Sequence, residues 1–210
     1  MATTARFQAA VTSSRPYKSH RYDVFGIKVN RMLTLFGQDQ LEAWLLLEAD
    51  PNVTQYCERP LYVPDHKPKR VVDFWAGFRD YDELWLVGHK EAADDASDEA
   101  VSALRTWAGK HAYKVRQVAP GNANRIFLNN WGMIVRDLSA NRRYLGKPLE
   151  NAVRDCLECP RPLSAICSLL RDHDPVLVRS TTYSLLHMGV IRCPDMASEP
   201  LGPASIMELA

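Results

Sequence analysis

The stretch KRVVDFWAGFRDYDELWLVGHKEA, residues 69–92, decides the fold. It contains two apolar runs rich in β-branched and aromatic residues, RVVDFWAGF and ELWLVGHK, separated by the polar segment RDYD. Such runs predict two strands of a buried sheet that are joined by a hairpin turn. Asp73 lies in the first run and Lys90 ends the second, so their side chains are expected to meet at neighbouring strand ends.

Regular elements are expected on both sides of this hairpin. The segment QDQLEAWLLLEADPNV, residues 38–53, has apolar residues at helical spacing and contains an Asp-Pro pair, which predicts a helix that stops there. A second helix is expected over residues 91–112, because acids crowd its first turns and favour the positive end of a helix dipole. A strand over residues 113–119 and a third helix over residues 123–143 follow. This order predicts an α/β core of about 130 residues.

The last third of the chain predicts a second, smaller unit. After the hinge-like segment RRYLGKPLE come three short helical segments and the strand-like VIRCPD, an order typical of a helix-turn-helix with a wing. The third helical segment would be the recognition helix, with Arg179, Ser180 and Thr182 on its outer face. Apolar residues of this helix are expected to face inward: Val176, Tyr183, Leu186 and Met188. Contact with DNA, through Arg179 and Thr182, and contact with protein both stay open as hypotheses.

The composition is that of an ordinary globular protein. Of 210 residues, 46% are apolar and 24% are charged. No run of eighteen apolar residues occurs, which argues against a membrane span, and the N-terminus lacks the apolar stretch of a signal peptide. A cytoplasmic location is therefore expected. The odd number of cysteines, five, argues against a disulfide framework.

Basic residues are concentrated at the N-terminus, although the formal net charge of the whole chain is only +1. Residues 1–30 are predicted to form a basic arm. The first thirty-odd residues contain a single acid, Asp23. Their basic residues are Arg6, Arg15, Lys18, Arg21, Lys28 and Arg31. Such an arm can bind the phosphates of DNA, and Arg15, Lys18 and Arg21 are its candidate contacts. A solvated flexible tail is the alternative, and it stays open.

An ordered set of motifs resembles the TnsA family, the endonuclease subunit of heteromeric DNA transposases, within the restriction-endonuclease-like superfamily. The matching segments are, in chain order, RMLTLFGQDQLE, LLLEADPNV, ERPLYV, VVDFWAGF, LVGHK and NANRIFLNNWGMIVRD, followed by the C-terminal tail TTYSLLHMGVIRCPDMASEPLGPASIM. The resemblance implies an α/β nuclease-like core with a mixed sheet over residues 31–142 and a small winged-helix domain over residues 143–210. It also implies Mg²⁺-dependent cleavage of the non-transferred strand, with double-stranded transposon-end DNA, a DDE-type transposase and an AAA+ regulator as partners.

The same resemblance assigns the site residues. Asp73 matches the family's metal-binding aspartate, and Lys90 matches its catalytic lysine. Gly88 stands where the family has a glutamate or glutamine, so no side-chain ligand is offered there. The family's helix glutamate corresponds to Gln40 or to Glu42, depending on the alignment. A neutral amide at that position would bind Mg²⁺ less well than a carboxylate, because it brings no formal charge.

Two hypotheses for the function follow. In the first, the chain is a TnsA-like cutting subunit with an impaired active site. In the second, it is a catalytically inactive assembly subunit that binds DNA and bridges the transposase and the AAA+ regulator. A stand-alone DNA-binding regulator is a third hypothesis, and it rests only on the winged helix.

Overall fold

The structure is a computed structural model that describes residues 6–88, 95–119, 121 and 123–210, without the side chains of residues 95–98. It is a mixed α/β protein whose chain divides into two compact units, residues 1–123 and residues 124–210. Within the described ranges, no helix is long and apolar enough to cross a bilayer.

The N-terminal unit contains two sheets. Its helices and strands are, in chain order, β1 (Arg21–Gly26), β2 (Arg31–Phe36), α1 (Gln38–Ala49), β3 (Gln55–Glu58), β4 (Phe74–Gly77), β5 (Asp82–Val87), α2 (Asp95–Lys110) and β6 (Tyr113–Val118). Strands β1 and β2 form an antiparallel pair, and the larger sheet has the order β3-β4-β5-β6. Strands β5 and β6 are parallel and lie on either side of α2 in the sequence, whereas β3, β4 and β5 are antiparallel neighbours. The expected hairpin over residues 69–92 is therefore confirmed for its described part, and Phe74 pairs with Trp85.

One apolar cluster of this unit lies between the four-stranded sheet and α2. Trp75 of β4 and Leu84 and Leu86 of β5 are almost fully buried, and they belong to the same apolar cluster as Leu104 and Ala108 of α2. Side chains alternate between the two faces of a strand, so Leu84 and Leu86 lie on the face of β5 that is turned to α2. Truncating such a buried leucine to alanine typically costs about 2–5 kcal/mol, so this cluster fixes the sheet that carries Asp73.

A buried polar network fixes α1 against the β1–β2 hairpin. The Glu48 carboxylate accepts hydrogen bonds from the Ile27 amide, at 2.9 Å, and from the Tyr56 hydroxyl, which in turn accepts from Trp44 Nε1 at 2.7 Å. Lys28 Nζ donates to the carbonyl of Leu47, at 2.7 Å, at the C-terminal end of α1. Helix carbonyls at this end have no partner within the helix, so Lys28 satisfies them from outside.

The predicted basic arm, residues 1–30, is largely part of the folded unit. Phe7 packs edge-on against Trp75, with ring centroids 5.7 Å apart, and Arg6 pairs with Asp82 at 3.1 Å. Residues Arg21–Gly26 form β1. The alternative of a solvated flexible tail therefore does not hold for residues 6, 7 and 21–26, because Phe7 extends the apolar cluster and residues 21–26 pair as a strand.

The C-terminal unit combines helices with a small sheet. Its elements are α3 (Arg125–Asn141), a 3₁₀ turn (Arg142–Tyr144), α4 (Lys147–Asp155), β7 (Arg161–Pro162), α5 (Leu163–Leu169), α6 (Pro175–His187), β8 (Ile191–Arg192), a 3₁₀ turn (Pro194–Ala197) and β9 (Ile206–Leu209). The strands are antiparallel and have the order β7-β9-β8.

Helix α3 belongs to this C-terminal unit, so the boundary lies at residues 123/124 rather than at the expected 142/143. The helix packs against α6, and Asn130 fastens it to the segment that follows β8. The Asn130 amide donates to the carbonyls of Met196 and Glu199, at 2.9 and 2.8 Å, and accepts from the Leu201 amide at 2.8 Å. An amphipathic helix pattern predicts a buried face, but it does not say which neighbour covers that face.

Helix α6 is enclosed on most of its surface, which corrects the expected outer face. Ser180 and Thr182 are fully buried, whereas Val176 and Met188, expected inside, are 40% and 45% exposed. Tyr183 and Leu186 are buried as expected. The reason is that α3, α4 and α5 all pack against α6, so its small hydroxyl side chains lie at helix–helix contacts.

Candidate functional site

Asp73 is held at the point where β4 begins, beside the end of β5. Its backbone amide donates to the Trp85 carbonyl at 3.0 Å, and its own carbonyl accepts from the Arg59 amide at 2.8 Å. Its carboxylate Oδ2 accepts from the backbone amide of Val87 at 2.8 Å. The side chain is therefore positioned by two neighbouring strands, which is the kind of rigid support that a binding site requires.

Gln40, on the first turn of α1, reaches this carboxylate. Its Nε2 donates to Asp73 Oδ1 at 3.3 Å, and its Oε1 accepts from the Phe36 amide at 2.8 Å. The Phe36 contact settles the orientation of the amide, because a backbone N–H can be satisfied only by the amide oxygen. Gln40 therefore presents a hydrogen-bond donor, not a lone pair, to Asp73.

Glu42, the other candidate for the helix glutamate, is also buried, with 2% of its surface exposed. Its Oε1 accepts from Gln38 Nε2 at 2.8 Å, and Gln38 in turn accepts from the Tyr22 hydroxyl at 3.1 Å. The structure thus brings Gln40 into direct contact with Asp73 and places Glu42 in contact with the first residue of α1.

Gly88 directly follows β5, and its amide donates to the Val118 carbonyl at 2.9 Å. A Cβ built at this position would meet no heavy atom of the described residues within 4 Å, so these residues leave room for a larger side chain there. Lys90 lies outside the described residues, and its predicted meeting with Asp73 stays a prediction.

The corner formed by Asp73, Gln40 and Gly88 offers a Mg²⁺ ion fewer side-chain carboxylates than the resemblance implies. Mg²⁺ requires several oxygen ligands in octahedral geometry. Here the amide N–H of Gln40 occupies one side of the Asp73 carboxylate, and Gly88 supplies no side chain. Across the described ranges, no group of three or more His, Cys, Asp or Glu side chains is arranged to hold a metal ion.

Arg59 bonds to Asp73 through its backbone amide, and its neighbour Glu58 binds a second arginine, Arg31. Arg31 donates to both carboxylate oxygens of Glu58, at 3.0 and 2.5 Å, and these bonds raise the pKa of Arg31. Arg59 is 6% exposed and adopts a left-handed backbone conformation with φ of 45°. Its burial lowers its pKa below the ordinary value for arginine. The sequence analysis did not single out Arg59. The only sign of it in the sequence is its position between an apolar run and Pro60.

The predicted DNA contacts of the N-terminal region are divided in the structure. Arg15 and Arg21 line a cavity of about 510 Å³ together with Arg59. Lys18 lies in a turn with φ of 59°, and its ammonium group stands 5.2 Å from the ring centroid of Tyr17.

The predicted DNA contacts on α6 have structural roles within the C-terminal unit. Two nitrogens of Arg179 donate to Asp137 Oδ2 on α3, at 3.0 and 2.8 Å. The Thr182 hydroxyl donates to the Val178 carbonyl one turn earlier, at 2.9 Å, and has no exposed surface. Asp137, the partner of Arg179, was also missed, because a charged residue on a predicted helix is normally assigned to solvent.

Neither a protein-family model nor a curated protein matches this chain.

Proposed function

We propose that this chain is a TnsA-like subunit of a heteromeric DNA transposition machinery, and that it assembles at transposon ends without cutting them. Its partners in this proposal are double-stranded DNA, a DDE-type transposase and an AAA+ regulator. The N-terminal unit would be the restriction-endonuclease-like core, and the C-terminal unit would be the winged helix. The observation that carries the non-cutting part is the hydrogen bond from Gln40 to Asp73.

The mixed sheet supports the nuclease-like part of the proposal. An antiparallel β3-β4-β5 meander is extended by the parallel strand β6 after a helical crossover, and Asp73 stands at the start of β4. The resemblance in sequence runs through the same elements, including the α1 segment that supplies Gln40. A carboxylate that is held by two strands and approached from a helix supports descent from a metal-dependent nuclease.

The chemistry of the corner supports assembly rather than cleavage. Metal-dependent phosphodiester cleavage requires oxygen ligands that hold the ion close to the scissile phosphate. Neither Gln40, which turns its N–H towards Asp73, nor Gly88 adds a carboxylate to that of Asp73, and Glu42 accepts a hydrogen bond from Gln38. Cutting by an impaired site is the second candidate, which the predicted position of Lys90 favours.

The order of elements supports a winged helix in the C-terminal unit. Helix α4, strand β7, helices α5 and α6, and strands β8 and β9 follow one another as in that fold, with β9 between the other two strands. However, α3 covers α6, and Arg179 is paired with Asp137. A recognition helix must present its side chains to a DNA groove, so an enclosed α6 favours a protein-binding role for this unit.

Co-assembly tests this proposal. Purified chain would be mixed with the DDE-type transposase of the same element and with a duplex that carries the transposon end, and the mixture would be separated by size exclusion. We expect a complex that contains all three components, formed equally well by the wild type and by Asp73→Ala. A wild-type chain that co-elutes with neither the transposase nor the DNA would overturn the proposal.

A further inference from the structure

The cavity between residues 10–15 and the β1–β2 hairpin is rich in arginine. Within the described residues, its lining includes Arg15, Arg21 and Arg59, and the only acid there is Glu58. Glu58 is held by two hydrogen bonds from Arg31, so its charge is already neutralised. The lining therefore carries an excess of positive charge that comes from three separate segments of the chain.

Arg59 gives this groove a built cationic site. Its Nε donates to the Thr12 carbonyl at 2.8 Å and one terminal nitrogen donates to the Thr34 carbonyl at 2.7 Å, while its guanidinium stands 4.9 Å from the ring centroid of Phe36. Among the described residues, no carboxylate lies within 4.0 Å of Arg59 to form an ion pair with it. Burial lowers the pKa of Arg59 and outweighs Glu58 and Asp73, which favour its charged form, so an anion in the groove would supply the direct anionic partner that the described residues do not.

The exposed arginines of the groove are held only weakly. Arg21 pairs with Asp23 at 3.1 Å, where both side chains are about half exposed, and Arg15 Nε donates to the Ser19 carbonyl at 2.6 Å. Exposed ion pairs contribute roughly 0–1 kcal/mol, so a phosphate can replace Asp23 as the partner of Arg21 at little cost. Arginine is also the side chain whose fork matches the oxygens of a phosphate.

We infer that this groove binds the phosphodiester backbone of duplex DNA, with Arg59 as the buried anchor and Arg15 and Arg21 as the outer contacts. The inference rests on the proposed function, because the DNA is taken to be a transposon end. The Arg59 amide donates to the Asp73 carbonyl, so a backbone bound here would pass beside the Asp73 corner. Contacts of this kind position DNA and carry no base sequence.

The salt dependence of DNA binding tests the inference. Fluorescence anisotropy would compare the wild type, Arg15→Ala/Arg21→Ala and the charge-matched control Arg105→Ala/Lys110→Ala, which alters exposed residues of α2. Each lost phosphate contact lowers the slope of log K against log salt by about 0.9. We expect the groove variant to lower the slope by about 1.8 and to weaken binding equally for end DNA and for an unrelated duplex. Arg59→Met, checked for folding by thermal melting, should lower it by about another 0.9.

The outcomes separate failure of the groove from failure of the proposed function. If the groove variant binds DNA with the same slope as the control variant, the groove assignment is wrong even though the chain binds DNA. If inorganic phosphate raises the melting temperature of the wild type but not of the groove variant, while DNA binding is equal in both, the groove binds free anions and the DNA assignment is also wrong. If the wild type binds no duplex, the DNA-binding part of the proposed function fails as well.

Discussion

At the scale of single residues, the account depends on the direction of one amide. Phe36 holds the Gln40 oxygen, so the Gln40 nitrogen, which is a hydrogen-bond donor and not a metal ligand, faces Asp73. Spacing alone left both Gln40 and Glu42 as candidates, because the contact of Gln40 with Asp73 depends on tertiary structure that the spacing does not show. The position of Asp73 next to β5 was predictable, because two apolar runs around a polar turn specify a hairpin.

A gain of metal binding is predicted for the double variant Gln40→Glu/Gly88→Glu. Residue 40 already contacts Asp73, and the described residues leave space for a side chain at residue 88, so the two changes would add carboxylates around this corner. Isothermal titration with Mn²⁺ should give saturable binding to the double variant and none to the wild type. The same variant with Asp73→Ala is the control and should lose the binding. Saturable binding by the wild type that Asp73→Ala abolishes would contradict this account of the site.

At the scale of elements, the strands were more predictable than the helix contacts. The sequence predicts strands β4 and β5 from their apolar runs, and it predicts the end of helix α1 from the Asp-Pro pair. These signals are local, because each one lies within the element that it predicts. The buried face of α6 was not predicted correctly. Ser180 and Thr182 have polar side chains, but they lie between packed helices. The packing partner of α3 was not predicted either, because it depends on the tertiary structure and not on the sequence of α3 itself.

The attachment of α1 to the β1–β2 hairpin predicts a pH dependence of stability. Burial lowers the pKa of Lys28 from its ordinary 10.5 to about 8, although Glu48 and Asp50 favour the charged form. Between pH 8 and 10.5 the unfolded chain therefore binds the proton that the folded chain has lost. The contribution of Lys28 to the free energy of unfolding rises with pH across this window and is flat below it.

Urea unfolding at pH 7.5 and at pH 9.5, roughly below and above the pKa of Lys28 in the folded chain, measures this contribution. The wild type should gain stability relative to Lys28→Met as the pH rises, by about 1.4 kcal/mol per pH unit at most. Lys110→Met, at an exposed position of α2, is the matched control and should follow the wild type at both pH values. Parallel pH profiles for the wild type and Lys28→Met would show that Lys28 is not desolvated in the folded chain.

At the scale of the whole molecule, the two units divide the proposed work. The N-terminal unit contains the Asp73 corner and the arginine groove, so it would hold the DNA. The C-terminal unit encloses α6 between α3, α4 and α5 and leaves Val176 and Met188 exposed, which suits contact with protein. Such a subunit would position the DNA and the other proteins in a transposition complex, and its partners would cleave the strands.

Cleavage of transposon-end DNA in the presence of the transposase and Mg²⁺ shows whether Asp73 takes part in cutting. The assay would compare the wild type with Asp73→Ala and would separate the non-transferred strand from the transferred strand on a denaturing gel. We predict the same amount of cut non-transferred strand with both proteins. Cleavage of that strand by the wild-type complex, with its loss in an equally well assembled Asp73→Ala complex, would contradict the account.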